Sequence, residues 1–535
     1  MVFQDRNWTA RPWRILEERI TADAESFSIA LTAVGTVDAS PFTWHGLLTG
    51  EPDGTVRMHL RGDTTQEFLR NRLGLCVLHP IIETSGQPVT IEHTDGSTEH
   101  TFFPTAITPD QPFRDIRAIT HEPMPGWRVS IRMSGETFET EDHRNWSDAS
   151  FKHYCTPIDL PFPVLVRPGD VIEQEITIRV TTADPTPSPI PVFAEDAPVQ
   201  LQVTSERLAL PALGIQLDSD GHALTAHERE QLRALSLAHV RVDLHAGDDV
   251  RRLDAALLEA SALGAQLVPA LIGADPADFA AYRDDPRIAR WLIFDPEQKV
   301  SGADVVDAAR KQLGPRVGGG TNLYFTELNR ARPAGLDIVA FSINPQVHAN
   351  DSQSVMQNAM TQGVIAHNAR MLYPEAFLEI SPITLRPRFN PNATAPEFDV
   401  SNTPLPAHVD ARQATAFAAA WLVLSLKAVA ESGCIDAVTY FQATGWQGLL
   451  ERASGSAQPE DFASTPGGTF PVFEVLRALA GATHIRRVVA SDPRRVDGLA
   501  LDSGVLLLAN LTAEAQVVDV RDQRITIGAY DVAFC

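Results

Sequence analysis

The feature that most constrains this chain is a series of short apolar runs that alternate with amphipathic stretches from about residue 208 to residue 482. Near-continuous apolar runs are typical of parallel strands covered on both faces, and the intervening stretches carry the spacing of surface helices. Eight runs over roughly 275 residues match the size and rhythm of a (β/α)8 TIM barrel. Helical segments lie between most of the runs, and the gap between the fifth and sixth runs lacks a clear helical pattern. The runs begin at Leu210, Ala238, Ala265, Arg290, Pro315, Asp337, Ala376 and Ile435.

The regions on either side of the predicted barrel have a different pattern. Residues 1–185 alternate polar and apolar positions with Gly, Pro and Asp breaks, as in SFSIALTAVG, which predicts an N-terminal antiparallel β-sandwich. The proline-rich residues 186–207 predict a stiff linker, because proline cannot join a strand ladder. Residues 483–535 return to strand patterns and predict a short C-terminal β domain, too small to hold a large core alone.

Composition excludes several classes of protein. The net charge of −24 disfavours nucleic acid as a partner, since a phosphate backbone needs a basic face, and it fits a small neutral or lactonic substrate. Four cysteines without CxxC spacing form neither a disulfide framework nor a zinc site. Because neither a secretory signal nor a membrane-spanning run is present, we expect a cytoplasmic protein without a membrane partner. The sequence does not determine whether the protein forms a homo-oligomer.

Several common catalytic motifs are missing from the sequence. There is no GxSxG elbow, no dinucleotide or P-loop glycine motif, and no HExxH. Asp243 and His245 form a D-x-H at the end of the second predicted strand, a weak signal for a metal site. We therefore predict an enzyme that uses no cofactor and no metal.

The candidate site follows from the rule that TIM barrels carry their chemistry at the carboxyl ends of the strands. Hydrolysis needs one group to activate water and another to stabilise or protonate oxygen, so we predict Glu297, Glu327 and His348 as catalytic residues. Amides can bind sugar hydroxyls, and an indole offers an apolar face to a sugar ring. The predicted substrate-binding residues are Asn322, Tyr324, Asn344, Gln346, Arg386, Gln442 and Trp446.

Structural interpretations compete with these roles. Glu297 follows Asp-Pro and equally fits a helix cap, and Glu327 fits a solvated loop carboxylate. Glu379 lies inside an apolar strand, where an ionised group is costly unless paired, so we predict that it partners an arginine. If both candidate glutamates are locked in salt bridges, Asp218 and Asp243 are the next candidates.

One stretch of the β domain, Glu141–Lys152, is unusually dense in different hydrogen-bonding groups beside Phe151 and Trp146. An ordinary solvated strand has no need for such variety. The stretch therefore forms either a polar joint against the barrel or part of the substrate pocket, and we favour the joint.

The chain resembles the D-apionate lactonase family. The resemblance covers nearly the whole chain, in the same order of domains. It rests on six segments: NRLGLCVLHP from Asn71, EDHRNWSDASFKHYCTP from Glu141, GGGTNLYFTELNR from Gly318, FSINPQVHAND from Phe341, SPITLRPRFNPNAT from Ser381, and TGWQG from Thr444. It implies a carboxylic ester hydrolase that opens D-apionolactone to D-apionate in carbohydrate catabolism. It supplies no catalytic set, so the site residues above come from the strand ends alone.

Two other functions stay open. A TIM barrel with a β tail is similar to retaining glycosidases, whose acid/base glutamate ends strand four and whose nucleophile ends strand seven. Glu297 fits the first place, but Glu379 lies well before the end of the seventh strand. The remaining alternative is a non-catalytic carbohydrate-binding protein.

Overall fold

The computed structural model describes residues 1–37, 39–182, 188, 197–389 and 405–535. These residues fall into two compact units. The first holds the described residues of 1–143 and 149–192, and the second holds residues 144–148 together with the described residues from 197 onward. Among the residues described, no helix is both long and apolar enough to cross a membrane.

The first unit is built almost entirely of antiparallel strands. Its largest sheet has nine strands, and two smaller sheets have three each. In spatial order the large sheet contains Arg14–Ala22, Phe27–Val37, Ser40–Gly50, Thr55–Thr64, Ile172–Thr182, Trp127–Ser134, Ile116–Met124, Pro88–His93 and Thr98–Phe102. One small sheet contains Val2–Asp5, Phe68–Gly74 and Val164–Val166. The other contains Glu139–Asp142, Ser150–Tyr154 and Cys76–Pro80.

A single apolar cluster fills this unit, and Phe42, Phe103, Phe138 and Phe151 lie fully buried in it. The period-two alternation of the strands sends every second side chain to this core. One short helix, Ile81–Thr84, and one helical turn, His143–Trp146, interrupt the strands.

The second unit contains a closed barrel of eight parallel strands, since the first strand pairs with both the second and the eighth. The predicted TIM barrel is therefore confirmed, and each of the eight apolar runs forms one strand. The strands are Ala212–Gln216, His239–His245, Gln266–Ile272, Trp291–Phe294, Val317–Tyr324, Ile338–Ile343, Phe377–Ile383 and Ala437–Thr444. A short ninth strand, Gly448–Leu450, pairs with the eighth.

Helices connect the strands, and several of them begin or end at recognisable capping residues. Thr225 and Glu228 form a capping box at the first helix, and Gly264 ends the second in the left-handed conformation that glycine tolerates. The helices are Ala226–Arg233, Val250–Leu263, Ala303–Leu313, Phe325–Ala331, Ser352–Asn358, Thr361–Leu372, Ala416–Ser432 and Pro471–Ala478. Helical turns cover Pro276–Tyr282, Ala411–Ala414 and Gly445–Gln447.

The gap without a clear helical pattern contains the helix Phe325–Ala331, seven residues long and buried over most of its length. A helix that is buried on most sides has no polar face, so it lacks the periodicity by which surface helices are recognised.

The C-terminal strands form a seven-stranded sheet that includes one strand preceding the barrel in sequence. In order it contains Gln523–Ile527, Gln516–Val520, Val199–Ala209, His484–Ala490, Val496–Leu501, Leu506–Asn510 and Val532–Phe534. The predicted linker 186–207 thus overlaps a strand, because the alternation VQLQV pairs as a strand once the prolines end. Residues 186–187 and 189–196 of that linker lie outside the described residues.

Candidate active site

The carboxyl end of the barrel holds a buried ionic network on the second, fifth and seventh strands. Arg241 donates from Nε to Asp243 at 2.7 Å, from Nη1 to the Ser381 carbonyl at 2.6 Å, and from Nη2 to the Asn322 amide oxygen at 2.8 Å. Arg388, just beyond the seventh strand, donates to the same Asn322 oxygen at 2.6 Å and to Asp243 at 3.3 Å. Two guanidinium groups therefore share one carboxylate.

This arrangement shifts the pKa values of its members. Burial alone would raise the pKa of Asp243, but the charges of Arg241 and Arg388 hold it below its ordinary value. Burial, reinforced by the charge of Arg241, lowers the pKa of Arg388 to about 10. At neutral pH Asp243 and Arg388 are therefore both ionised. A carboxylate already committed to two cations is a poor ligand for a metal ion, which argues against the metal site suggested by the Asp243-x-His245 spacing.

The segment Arg144–Asp148 belongs to the barrel-containing unit, although the chain on either side of it belongs to the first unit. Asp148 lies 2.6 Å from His348 Nδ1 through one carboxylate oxygen and accepts from the Asn358 amide at 3.1 Å through the other. Asn145 accepts a hydrogen bond of 3.0 Å from Asn329. The segment thus places a buried carboxylate beside the predicted catalytic histidine.

Trp146 is the aromatic centre of this segment. Its ring meets Tyr324 edge to face at 5.5 Å between centroids and meets His348 in the same way at 6.0 Å. The Arg330 guanidinium lies 5.7 Å from the Trp146 ring centroid. The contacts bring together Tyr324 of the fifth strand and His348 beyond the sixth, which the sequence predicted as neighbours at one face of the barrel.

The two predicted catalytic glutamates have different environments. Glu327 is buried in the helix Phe325–Ala331 and pairs with Lys299 at 3.1 Å. Glu297 is exposed in the turn after the fourth strand, where its own N–H donates to Asp295. It does not cap the next helix, whose N-cap residue is Gly302. Only one of the two is therefore held in a salt bridge.

Two predicted binding residues, Gln346 and Arg386, lie around a second buried carboxylate, Asp410. Gln346 donates to Asp410 at 2.7 Å, Arg412 donates at 2.8 Å, and the Arg386 guanidinium lies 3.6 Å away. Burial opposes ionisation of Asp410, but the hydrogen bond and charge of Arg412 lower its pKa to about 2. Asn344, also buried, accepts from the Gln346 N–H at 3.1 Å.

Of the remaining two predicted binding residues, Gln442 lies within the eighth strand and Trp446 follows that strand, and their hydrogen-bond partners differ. Gln442 donates to Ser219 at 3.1 Å and to Gln447 at 2.8 Å. Trp446 instead donates from its indole nitrogen to Ser456 at 2.9 Å.

The carboxylates after the first strand are paired as well. Arg452 donates to Asp218 at 3.2 Å and to Asp220 at 2.7 Å. Burial nevertheless raises the pKa of Asp218 above its ordinary value, although bonds from Thr444 and Arg452 oppose the rise.

Glu379 has the structural environment that its sequence context predicted. It is fully buried within the seventh strand and forms a two-pronged pair with Arg290, whose Nε lies 3.0 Å from Oε1. A carboxylate held in this way is not available as the nucleophile that the glycosidase mechanism needs at the seventh strand.

Arg241 was not predicted as a site residue, and no pattern connected Asp148 with His348. A signal for Arg241 existed, because Arg241 and Asp243 alternate with apolar residues in the strand His239–His245 and so point to the same face. No local signal paired Asp148 with His348, since 200 residues separate them.

Three family models match the chain. The N-terminal domain of D-apionate lactonase matches residues 1–183, its TIM barrel domain matches residues 295–484, and its C-terminal immunoglobulin-like domain matches residues 493–535. The immunoglobulin-like description agrees with the predicted β character of the C-terminal part.

A curated protein and several solved structures are also similar. D-apionate lactonase of Brucella anthropi is 29% identical over 99% of this chain and 90% of its own length. A GH30 endoxylanase from Clostridium papyrosolvens is 10% identical, with a TM-score of 0.40 over 63% of this chain and 99% of its own. A β-xylosidase from Caulobacter crescentus is 14% identical, with a TM-score of 0.38 over 60% of this chain and 78% of its own. The three family models together with the full-length relative show that this chain belongs to the D-apionate lactonase family.

Proposed function

We propose that this lactonase hydrolyses D-apionolactone to D-apionate in carbohydrate catabolism, and that His348, oriented by Asp148, is its general base. The substrate is the one named by the family and by the Brucella anthropi relative. The observation that carries the catalytic assignment is the 2.6 Å contact between His348 Nδ1 and Asp148 at the carboxyl face of the barrel.

The Asp148 carboxylate determines what His348 can do. An imidazole that donates its Nδ1 proton to a carboxylate carries its lone pair on Nε2, the form that a general base requires. Nε2 takes a proton from water while the water oxygen attacks the lactone carbonyl carbon. Asp148 is itself held by Asn358, so the tautomer and the ring orientation are both fixed before substrate binds.

The carbonyl oxygen of the tetrahedral intermediate needs a hydrogen-bond donor. Asn322 suits this role, because its amide oxygen is committed to Arg241 and Arg388 and its amide nitrogen is the donor left to it. When the intermediate collapses, the bond to the ring oxygen breaks and that oxygen receives the proton from His348. One water is consumed, one hydroxy acid forms, and the acid then ionises to its carboxylate.

The two glutamates supply an alternative base. Glu327 is paired with Lys299, whereas Glu297 is exposed and so has no apolar wall to exclude competing water. We therefore place His348 ahead of both, and the variants E327Q and E297Q test that order.

The decisive experiment compares substrates and variants together. Purified protein is incubated with sugar lactones and with aryl glycosides, and acid release is followed against phenol release. We expect acid from D-apionolactone only. The variant H348N should reduce kcat by at least about 100-fold, the usual contribution of a general base, and D148N should reduce kcat with little change in KM. The control H227N alters an exposed histidine on a surface helix and should keep full activity.

Any other outcome of this experiment would assign the chain a different function or a different general base. Phenol release without acid release would support the glycosidase, and tight lactone binding without turnover would support a carbohydrate-binding protein. Full activity in H348N with loss in E327Q would move the base to Glu327.

A further inference from the structure

Among the residues that the structure describes, the buried network at the carboxyl end of the barrel has one positive charge more than it has negative charges. Arg241 is fully buried and the Arg388 side chain is 14% exposed, yet both are paired with the carboxylate of Asp243. The other described hydrogen-bond partners of these guanidinium groups are neutral: the amide oxygen and backbone carbonyl of Asn322, and the carbonyl and hydroxyl of Ser381. Leaving a buried charge without a counter-charge is costly, so the excess calls for an anion.

The charges acting on Arg388 agree with this count. Arg241 lowers its pKa, whereas Asp243 and, more weakly, Tyr324 raise it. With a pKa of about 10 the guanidinium is protonated at neutral pH, so the excess charge is real under working conditions.

The excess charge lies in the same barrel-containing unit as the proposed general base. Asn322, which both guanidinium groups contact, precedes Tyr324 by two positions in the fifth strand. The Tyr324 ring contacts Trp146, and Trp146 contacts His348. This chain of contacts links the cationic network to the general base through three rings.

We infer that Arg241, Arg388 and Asn322 form an anion subsite that holds the carboxylate released when the lactone ring opens. The identity of the anion rests on the proposed function, because a lactone is neutral and its product is a monoanion. A single excess positive charge matches a monocarboxylate better than a phosphate dianion. The same donors stabilise the negative oxygen of the intermediate that precedes the product.

The test measures binding without turnover. Isothermal titration calorimetry is carried out with D-apionate, with the corresponding uncharged sugar alcohol, and with inorganic phosphate. The variant R388Q removes the excess charge, and N322D neutralises it while keeping an oxygen that both guanidinium groups can contact. The control R251Q removes an arginine that is 89% exposed and pairs with Asp249. Thermal unfolding of every variant shows whether it is folded.

We expect R388Q and N322D each to weaken D-apionate binding by at least about tenfold, the scale of one lost charge-assisted hydrogen bond. R251Q should bind D-apionate like the parent chain, and the sugar alcohol should bind all variants alike. D-apionate binding unchanged in N322D, an equal loss for the sugar alcohol, or equal affinity for phosphate would each overturn the inference.

The subsite and the proposed function fail in distinguishable ways. Charge-dependent binding of D-apionate without lactone hydrolysis would leave the subsite standing and remove the lactonase assignment. Lactone hydrolysis together with equal D-apionate affinity in the parent chain and in R388Q would support the lactonase assignment and overturn the subsite.

Discussion

At the scale of single residues, the pair Arg290–Glu379 shows how a structural carboxylate can be distinguished from a catalytic one. Glu379 is fully buried, and both of its oxygens face the Arg290 guanidinium. Removing one partner of a buried ion pair leaves the other charge without a counter-charge, which lowers the free energy of unfolding by roughly 3–5 kcal/mol. A reactive carboxylate, in contrast, loses activity when it is amidated without losing stability.

We therefore expect the variant E379Q to lower the free energy of unfolding by about 3 kcal/mol or more, because it strands the Arg290 charge. Chemical denaturation measures this loss. The matched variant E297Q alters an exposed carboxylate and should change stability by less than about 0.5 kcal/mol. Unchanged stability in E379Q, accompanied by lost turnover, would instead make Glu379 a catalytic residue.

The sequence indicated the role of Glu379 better than the roles of the other charged residues. A glutamate between Leu378 and Ile380 is buried, and burying an ionised carboxylate costs much free energy unless a cation such as arginine pairs with it. Its environment therefore follows from its burial alone. Glu297 and Glu327 follow strands in similar ways, yet one is exposed and the other is buried against Lys299. The fold of the connecting segment decides this difference, and strand-end position does not encode it.

At the scale of elements, three buried histidines lie on different strands of the first unit. His153 Nε2 lies 2.6 Å from His79 Nδ1, and the His79 ring meets His121 edge to face at 4.9 Å between centroids. Burial, with a smaller effect of His121, lowers the pKa of His79 to about 3. Burial also lowers the pKa of His121 and of His153. All three are therefore neutral in the folded chain at neutral pH.

This cluster predicts acid sensitivity of the first unit. Below the ordinary histidine pKa of about 6.5 the unfolded chain protonates these side chains, whereas His79 in the folded chain stays neutral until the pH approaches 3, and burial lowers the pKa of His121 and of His153 as well. Stability should therefore fall as the pH drops below about 6.5, by roughly 1.4 kcal/mol per pH unit for each such histidine. Thermal unfolding at a series of pH values measures the slope.

The variant H121F tests the cause of this sensitivity. His121 Nδ1 has no hydrogen-bond partner and the ring packs against Phe103, so a phenyl ring fits the same apolar surroundings. H121F should make the slope shallower, whereas the exposed control H227N should leave it unchanged. Equal slopes in all three proteins would assign the acid sensitivity to other groups.

Elements with a continuous apolar run, or with a covered face and a solvent face, were readily predicted, and elements with neither pattern were not. All eight barrel strands coincide with apolar runs, because most residues of each strand are buried. The helix Phe325–Ala331 gave no pattern, since five of its seven residues are buried. The strand Val199–Ala209 was obscured by the prolines that precede it.

At the scale of the whole molecule, charge is distributed unevenly. The chain carries a net charge of −24, yet Arg241, Arg388, Arg386 and Arg412 are grouped around only two aspartates, Asp243 and Asp410. A cationic environment repels divalent metal ions and attracts anions. The acidic surface attracts cations only diffusely.

We therefore expect exhaustive treatment with EDTA, followed by removal of the chelator, to leave lactone hydrolysis intact. Hydrolysis rates before and after treatment, together with the metal content of the protein, check this. Activity that EDTA abolishes and a divalent ion restores would show that a metal takes part, contrary to this prediction.

The order of the domains could be predicted from the sequence, but the membership of short segments could not. Composition and periodicity change near residues 185, 208 and 483, and these changes are visible without a structure. The five residues Arg144–Asp148 look like part of the N-terminal domain, yet they belong to the barrel-containing unit and supply the partner of His348. Such a contact depends on the tertiary fold, which no local pattern records.

The strand Val199–Ala209 also has a consequence for the folding of the nascent chain, because both of its partner strands are synthesised much later. It pairs with His484–Ala490 on one side and Gln516–Val520 on the other, and residues 210–483 must leave the ribosome before either partner exists. At roughly 5–20 residues per second, both edges of this strand stay unpaired for tens of seconds. An unpaired apolar edge is a template for aggregation, so the alternation of Gln200, Gln202 and Thr204 with apolar residues protects the nascent chain as well as shaping the finished sheet.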